Sequence, residues 1–290
     1  WQLAMRSKSP YGPYEWKRVL ERGKTTMNGP HQGGWIHTKY GEDWFIHFQD
    51  KGPYGRVCHL QPVDWSSGWP VMGNAGEPYW KFRKPKSDSK TIVNPVETDE
   101  FDSSKLGMQW QWQNDYKESY GQATSMGFFR LFTYALPELG DVSNLWYVPN
   151  MLLQKTPADE FTATTKLSFC SRNSDQYVGL VCMSAEYSSV GLQRTEDGYE
   201  LQIRHNPNAM RTHLTDEVLT VDTLKPTQKG TPRKGRPAEM HIKDVYLRMS
   251  IKDSKVNYAY SIDGKKWKKA GGEYAMGKGR WIGSKIGFFA

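Results

Sequence analysis

Hydrophobic and polar residues alternate in short runs over the first 80 residues. A period of two is typical of half-buried β-strands. Tight turns that contain glycine join the last three of these runs, which predicts an antiparallel meander, the unit of a β-propeller blade. One blade cannot bury both of its faces alone, so we expect other blades to pack against this segment. The alternating runs are Trp1–Ser7, Gly33–Thr38, Asp43–Asp50 and Arg56–Trp65.

A second pattern of strands begins after residues 81–97, a charged, proline-containing segment that we interpret as a connection between domains. Asp-Gly pairs at positions 197–198 and 263–264 predict tight hairpins, and the regular spacing of strands and turns predicts a β-sandwich over 98–290. The segment Lys225–Pro237 is too polar and too rich in proline and glycine for a strand, so we expect an exposed loop. The predicted sandwich strands are Phe161–Phe169, Tyr177–Ser184, Gly198–Arg204, Val245–Lys252, Val256–Ile262 and Ser284–Ala290.

The composition supports an all-β globular chain. Aromatic residues make up 13% of the sequence, which argues against disorder, and no apolar run approaches the roughly 18 residues of a membrane span. The net charge of +8 raises the question of nucleic-acid binding. Because the charges are scattered and no zinc-finger, RNP or helix-turn-helix pattern is present, we expect neither a nucleic-acid nor a membrane partner.

The three cysteines, Cys58, Cys170 and Cys182, are too few for a disulfide framework. Cys170 and Cys182 fall on neighbouring predicted strands and could pair, but we favour buried free thiols. The chain begins inside a predicted strand, with neither a Met start nor a signal peptide, so we expect it to be part of a longer protein.

The most concentrated motif is the stretch Asn28–Trp35, which reads Asn-Gly-Pro-His-Gln-Gly-Gly-Trp. Consecutive glycines allow the backbone to approach another group closely. A histidine presented there, His31, could hold a water, a metal or a sugar hydroxyl, and the alternative is a hydrogen-bonded turn histidine. For the three strand histidines His37, His47 and His59 we favour structural roles.

Arginine and tryptophan supply the other candidate binding groups. Arg56 follows a glycine-containing turn, where a guanidinium can clamp hydroxyls or a carboxylate, although a plain surface arginine is the alternative. Sugar rings stack on aromatic planes, so clustered tryptophans suit carbohydrate sites. We expect most of the 12 tryptophans to lie in the core and a few to face ligand. The two clusters are Trp35, Trp44, Trp65 and Trp69, and then Trp110 and Trp112.

Glycoside hydrolysis requires a pair of carboxylates. None of the acidic residues in 1–80 has the apolar surroundings that would raise a carboxyl pKa, and the sequence contains no nucleophile elbow or phosphate loop. We therefore assign no catalytic residue within this chain.

Several motifs together resemble glycoside hydrolase family 43, the β-xylosidases and α-L-arabinofuranosidases with a five-bladed β-propeller. The runs RSKSPYGPYE, NGPHQGGW, GEDWFIHFQDKGPYGRVCHLQPVDW and GWPVMG are similar to the end of the catalytic propeller. The runs EFDSSKLGMQWQW, PNMLLQK, FTATTKLSF and SKIGFFA are similar to the concanavalin-like β-sandwich that follows it. The resemblance implies the last blade or blades of the propeller in 1–80 and the sandwich in 98–290.

The resemblance also implies roles for individual residues. His31 matches a histidine near the propeller axis, where members hold a calcium ion through waters, and Arg56 matches an arginine that contacts the innermost sugar. Gln32 and Trp35 lie beside that site, and a sandwich loop at Trp110–Asn114, with Trp112, closes one side of the pocket. The three catalytic carboxylates of the family, which act with inversion, precede the segment that this chain matches.

The implied function is removal of xylose or arabinose from xylan- or arabinoxylan-type carbohydrate without an organic cofactor. We expect this chain alone to be inactive unless a complementary chain supplies the earlier blades. The substrate class implies a secreted or periplasmic bacterial protein. The alternative is a carbohydrate-binding sandwich without catalysis.

Overall fold

The structure is a computed structural model, and it confirms that the chain is all-β. Its secondary structure consists of β-strands and three short 3-10 helices in the described part of the chain. In that same part no helix is both long and apolar enough to cross a membrane. The chain divides into two compact units, Trp1–Asn94 and Pro95–Ala290, at a point inside the segment 81–97, which contains neither helix nor strand. The described residues are 1–135, 144–210, 215–234, 236–279 and 281–290.

The first unit contains a two-stranded sheet and a four-stranded antiparallel sheet. Its elements are β1 (Gln2–Arg6), β2 (Glu15–Leu20), β3 (Gly34–His37), β4 (Asp43–Asp50), a 3-10 turn (Gly52–Tyr54), β5 (Arg56–Asp64) and β6 (Val71–Met72). Strand β1 pairs with β2, and β3, β4, β5 and β6 pair in chain order. The predicted three-stranded meander is therefore present, with a short fourth strand that sequence inspection missed. This arrangement is that of a propeller blade.

The second unit contains the remaining fourteen strands among its described residues. They are β7 (Gln111–Trp112), β8 (Gly121–Ala123), β9 (Phe129–Leu131), β10 (Leu152–Lys155), β11 (Phe161–Ser171), β12 (Tyr177–Met183), β13 (Tyr187–Arg194), β14 (Tyr199–Asn206), β15 (Glu217–Leu224), β16 (Gln228–Lys229), β17 (Met240–Lys252), β18 (Lys255–Ser261), β19 (Lys268–Ala275) and β20 (Lys285–Phe289), with 3-10 helices at Glu118–Tyr120 and Leu145–Tyr147.

Two antiparallel sheets of the second unit pack face to face as the predicted β-sandwich. One sheet has the order β15-β14-β13-β12-β20-β10-β7, and the other has the order β11-β17-β18-β19, with β16 paired to β17. Tyrosines bridge the two sheets: the Tyr258 hydroxyl donates to the Ser188 carbonyl at 2.7 Å, and the Tyr199 hydroxyl donates to the Met240 carbonyl at 2.8 Å. Every residue of β12 is buried, because the second face of its sheet is covered by a cluster that includes Leu145, Val148 and Met151.

The structure corrects the prediction for Lys225–Pro237. Gln228 and Lys229 form the short strand β16, because they pair with His241 and Met240 at the edge of the five-stranded sheet. Cross-strand partners hold these two residues in a strand although their own side chains are polar. The other described residues of the segment are exposed or half-buried, and position 235 lies outside the described residues.

The prediction of buried free thiols is confirmed for Cys182 and is wrong about the burial of Cys170. All three cysteines are free; Cys182 is buried, whereas Cys58 and Cys170 are exposed. Cys170 lies in β11 and Cys182 in β12, which belong to different sheets, so they are not strand neighbours.

A buried carboxyl group links the segment that packs over the seven-stranded sheet to the strands of that sheet. The Tyr187 hydroxyl donates to the carboxylate of Asp216 and accepts a hydrogen bond from the Leu145 backbone N–H at 2.8 Å. Asn206 donates to Asp216 at 3.0 Å. Burial of Asp216 raises its carboxyl pKa, and this effect outweighs the hydrogen bonds and the nearby Arg204 charge, which lower it.

This raised pKa predicts how Asp216→Asn changes the pH dependence of stability. A carboxyl whose pKa is raised on folding adds stability below its unfolded pKa, and that contribution is lost as the pH rises through the folded pKa. The asparagine variant does not titrate. We therefore expect the melting temperature of the variant minus that of the wild type to increase between about pH 4 and pH 8. Calorimetry across that range measures the difference, and a difference that decreases with pH would show that ionised Asp216 stabilises the fold.

Candidate functional site

Hydrogen bonds hold the loop before β3 against the end of β4. The Asn28 side chain makes two hydrogen bonds to the backbone of Asp50, at 3.0 and 2.9 Å. Gln49 donates to the Thr26 carbonyl at 3.0 Å, and Met27 between them is fully buried. These contacts fix the segment that carries His31 and Gln32.

Gly33 makes the close approach that the motif predicts. A Cβ atom at this position would lie 2.1 Å from the Ile46 carbonyl oxygen and 2.5 Å from Cζ of Phe45. The preceding residue, Gln32, is exposed and has a φ of 53°, in the left-handed region. The loop therefore turns sharply at Gln32 and places Gly33 directly on β4, where β3 begins.

His31 and Arg56 meet at the ring of Phe48. The His31 ring lies edge-on to Phe48, with 5.2 Å between ring centroids. The Arg56 guanidinium lies over the same ring, 4.1 Å from its centroid. His31 is half-buried, and its ring contact with Phe48 leaves both of its sequence-based interpretations open. Phe48 thus joins the two residues that the sequence analysis selected separately.

Trp35 lies on the opposite face of this sheet. Residues directly opposite in an antiparallel pair share a face, and successive residues alternate between faces. Trp35 pairs with Phe45, so it lies on the face away from Phe48. Its indole N–H donates to Asp43 at 2.8 Å, and its ring packs 5.3 Å from that of Trp65. The structure therefore groups His31 with Arg56 and does not bring Trp35 to them.

The carboxylate beside Trp35 is held in its ionised form. Nδ1 of His37 lies 2.8 Å from Oδ1 of Asp43, and this hydrogen bond, with the one from Trp35, lowers the Asp43 carboxyl pKa. Hydrogen bonds also lower the carboxyl pKa of three other acidic residues. The main donor to Glu42 is the backbone N–H of Lys86, and the main donor to Asp64 is the backbone N–H of Ser66. The main donor to Asp88 is the side chain of Lys39. A general acid needs a raised pKa instead, so these four groups do not suit that role.

The contacts of His47 and His59 agree with structural roles. Their rings stack at 5.5 Å, and Gln61 and Gln49 lie within hydrogen-bond distance of them at 3.3 and 3.1 Å. Burial lowers the pKa of both imidazoles, which favours their neutral forms.

The donor set at His31 does not suit direct calcium binding. Calcium takes six to eight oxygen ligands, and within the described residues no group of three or more metal-ligating side chains includes His31. A calcium ion held through waters near His31 stays a prediction.

The second unit places Trp112 among other aromatic side chains. Its ring lies 5.6 Å from Tyr120, 5.9 Å from Tyr116 and 6.0 Å from Phe129, and it is half-buried in the edge strand β7. The segment Trp110–Asn114, predicted as a loop, is therefore partly a strand.

The prediction that most tryptophans are core residues was wrong. All twelve tryptophans lie in the described ranges; of these only Trp44 is buried, and six are exposed: Trp1, Trp16, Trp35, Trp65, Trp80 and Trp281.

A cavity of about 320 Å³ in the second unit was not foreseen from the sequence. It offers an indole ring, an amide, a hydroxyl and an amine, which are groups that bind sugars. Burial lowers the pKa of the amine, that of Lys285. These groups belong to Gln113, Trp146, Ser184 and Lys285, and Met183, Met210 and Ile282 add apolar walls.

Comparison with known families accounts for both units. A family described as glycosyl hydrolases family 43 matches residues 2–70, and one described as the beta xylosidase C-terminal concanavalin A-like domain matches residues 98–290. The chain belongs to glycosyl hydrolase family 43. The prediction of a propeller segment followed by a concanavalin-like sandwich is thereby confirmed.

Curated relatives of this family 43 chain are named as pentosidases. A putative beta-xylosidase of Xylanibacter ruminicola is 32% identical over 99% of this chain and 49% of its own length. A non-reducing end alpha-L-arabinofuranosidase of Bacteroides ovatus is 27% identical over 90% of this chain and 47% of its own length. The chain thus spans about half the length of the curated relatives it matches.

The solved structures agree on the fold. A protein described as a bifunctional GH43-CE protein of Bacteroides eggerthii superposes with a TM-score of 0.74 at 24% identity, over 99% of this chain and 34% of that protein. At this identity the likeness shows the fold.

Proposed function

We propose that this chain forms the last part of the propeller and the sandwich of a glycosidase that releases xylose or arabinose from xylan- or arabinoxylan-type carbohydrate. Family membership and the pentosidase names of its relatives support the proposal. The chemistry needs no organic cofactor, because a pair of carboxylates is sufficient for glycoside hydrolysis. The substrate class favours a secreted or periplasmic location.

The grouping of His31 and Arg56 around Phe48 carries this proposal. A guanidinium offers five N–H donors and no acceptor, so Arg56 suits a ligand rich in oxygen acceptors, such as a sugar. The Phe48 ring beneath the guanidinium limits its motion and lowers the entropy lost on binding. In the proposed role Arg56 binds the innermost sugar and His31 lies beside it, with Gln32 at the margin.

We propose that the catalytic carboxylates come from residues outside this chain and act with inversion. Inversion requires an acid and a base about 6.5–9.5 Å apart, and the acid needs a raised pKa. The lowered pKa values of Glu42, Asp43, Asp64 and Asp88 support an external source. By itself the chain would bind sugar weakly and hydrolyse nothing.

An exposed apolar surface of the blade supports the need for further blades. Ile36, Ile46 and Leu60 lie on the same sheet face as Phe48 and are 42%, 38% and 37% exposed. Apolar residues grouped on a sheet face are normally covered. Earlier blades, in the same polypeptide or a complementary chain, would cover them.

A chimera tests the proposal. The part of the Xylanibacter ruminicola relative that this chain does not match is joined to this chain, and folding is checked by circular dichroism. We expect hydrolysis of aryl β-xylosides or aryl α-L-arabinofuranosides, with the inverted anomer as the first product in proton NMR. A folded chimera without activity would contradict the proposed function, and a first product of retained configuration would contradict inversion.

The cavity of the second unit favours a second candidate, carbohydrate binding without catalysis. Trp146→Ala removes its aromatic wall, so this candidate predicts loss of saturable binding of the chain to xylan or arabinan. Trp267→Ala is the matched control, because Trp267 is similarly half-buried but packs under Arg248 in the other sheet. Equal binding by the two variants would exclude this candidate.

A further inference from the structure

Three metal-ligating side chains converge on the five-stranded sheet of the second unit. Cys170 of β11 is the direct cross-strand partner of His241 in β17, and Glu239 lies two residues before His241. Met240 and Ile242 point into the core, so Glu239 and His241 share the outer face. This is the only such group among the described residues.

The three donor atoms form a compact triangle. Sγ of Cys170 lies 2.9 Å from Oε1 of Glu239 and 3.4 Å from Nε2 of His241, and Nε2 lies 3.7 Å from Oε1. Zinc bonds of about 2.0–2.3 Å at tetrahedral angles place ligand atoms about 3.4–3.6 Å apart. The two separations that involve Nε2 of His241 match one face of a zinc tetrahedron to within about 0.3 Å, whereas the separation between Cys170 Sγ and Glu239 Oε1 must lengthen by about 0.5–0.7 Å.

From this geometry we propose that Cys170, Glu239 and His241 bind one zinc-type divalent ion. Thiolate and imidazole ligands favour zinc and similar transition metals over calcium and magnesium. Three protein ligands leave a fourth position for water. When the ion binds, the Cys170 thiol loses its proton to solvent and its sulfur bonds to the metal, so the hydrogen bond to Glu239 is replaced by shared coordination.

Arg172 supports the arrangement from outside the triangle. Its Nη2 lies 2.8 Å from Oε2 of Glu239, the oxygen that the triangle does not use. This contact orients the carboxylate so that Oε1 faces Cys170. Outer partners of this kind typically alter metal affinity by about 10- to 100-fold.

Cobalt(II) titration of the chelator-treated 290-residue chain tests the proposal, because a cobalt–thiolate bond gives a charge-transfer band in the near ultraviolet. We expect one equivalent to bind with this band. Cys170→Ser should abolish the band, and Arg172→Ala should weaken binding by about 10- to 100-fold. Cys58→Ser is the matched control, since Cys58 is also an exposed free thiol but lies outside the cluster.

The titration separates the proposal from a cluster held by hydrogen bonds alone. A band that is lost in Cys170→Ser and in His241→Asn but kept in Cys58→Ser supports the site. No thiolate band in the wild type, or a band that survives in Cys170→Ser, overturns it. Circular dichroism confirms that each variant is folded, as expected for exposed or half-buried positions.

Discussion

Alanine in place of Gly33 is expected to lower the free energy of unfolding of the first unit by about 3 kcal/mol or more. The added methyl group would lie 2.1 Å from the Ile46 carbonyl oxygen, and a backbone atom cannot move away as a flexible side chain can. Relief requires β3 to separate from β4, which also displaces His31 and Gln32. Urea unfolding followed by tryptophan fluorescence measures the change.

The adjacent glycine provides the control. A Cβ at Gly34 would lie 3.5 Å from a methyl group of Ile46, an ordinary contact. We expect Gly34→Ala to change the free energy of unfolding by less than about 1 kcal/mol. Equal effects of the two substitutions would show that the close approach at Gly33 does not hold this hairpin together.

Arg56→Ala in the chimera is expected to lower kcat/KM by about 10- to 100-fold. In the role proposed for Arg56, the lost interactions would be hydrogen bonds from a charged group to the sugar, worth about 1.5–3 kcal/mol. Because these bonds form in the bound state as well as in the transition state, KM should rise. Initial rates on aryl xylosides and arabinofuranosides measure both constants.

Arg6→Ala controls for the loss of an arginine stacked on a ring. The Arg6 guanidinium lies 4.1 Å from the centroid of Trp69, the same distance as Arg56 from Phe48, and both arginines are exposed. The matched motif assigns no sugar contact to Arg6, so its removal should leave KM unchanged. If the two variants lose activity equally, Arg56 has no special role in binding sugar.

The blade was predictable from the sequence because its signals are local. Asp43–Asp50 is rich in aromatic and aliphatic residues and has polar ends, and the turn at Gly41 sets its register with β3, so both strands were found. Strands such as β13 and β19 were missed. Serines and glycines in β13, and lysines in β19, conceal the alternation, and pairing with neighbouring strands holds them in place.

The site was only partly predictable, for reasons of register and packing. His31 and Arg56 were selected from their motifs, but no local sequence pattern identifies Phe48. Phe48 is important because the hairpin brings both His31 and Arg56 to its ring. The Cys170–His241 pair joins residues 71 positions apart. A bulge in β11 between Leu167 and Phe169 shifts the register before the pair, and the sequence pattern does not reveal this bulge.

The most direct test of the account is hydrolysis by the purified 290-residue chain alone, assayed with aryl β-xylosides and aryl α-L-arabinofuranosides beside the chimera. We expect turnover by the chimera and none above the uncatalysed rate for the chain, because we propose that the catalytic carboxylates lie outside it. Activity that co-purifies with the 290-residue chain, and that is lost when one of the chain's own carboxylates is substituted, would contradict this expectation.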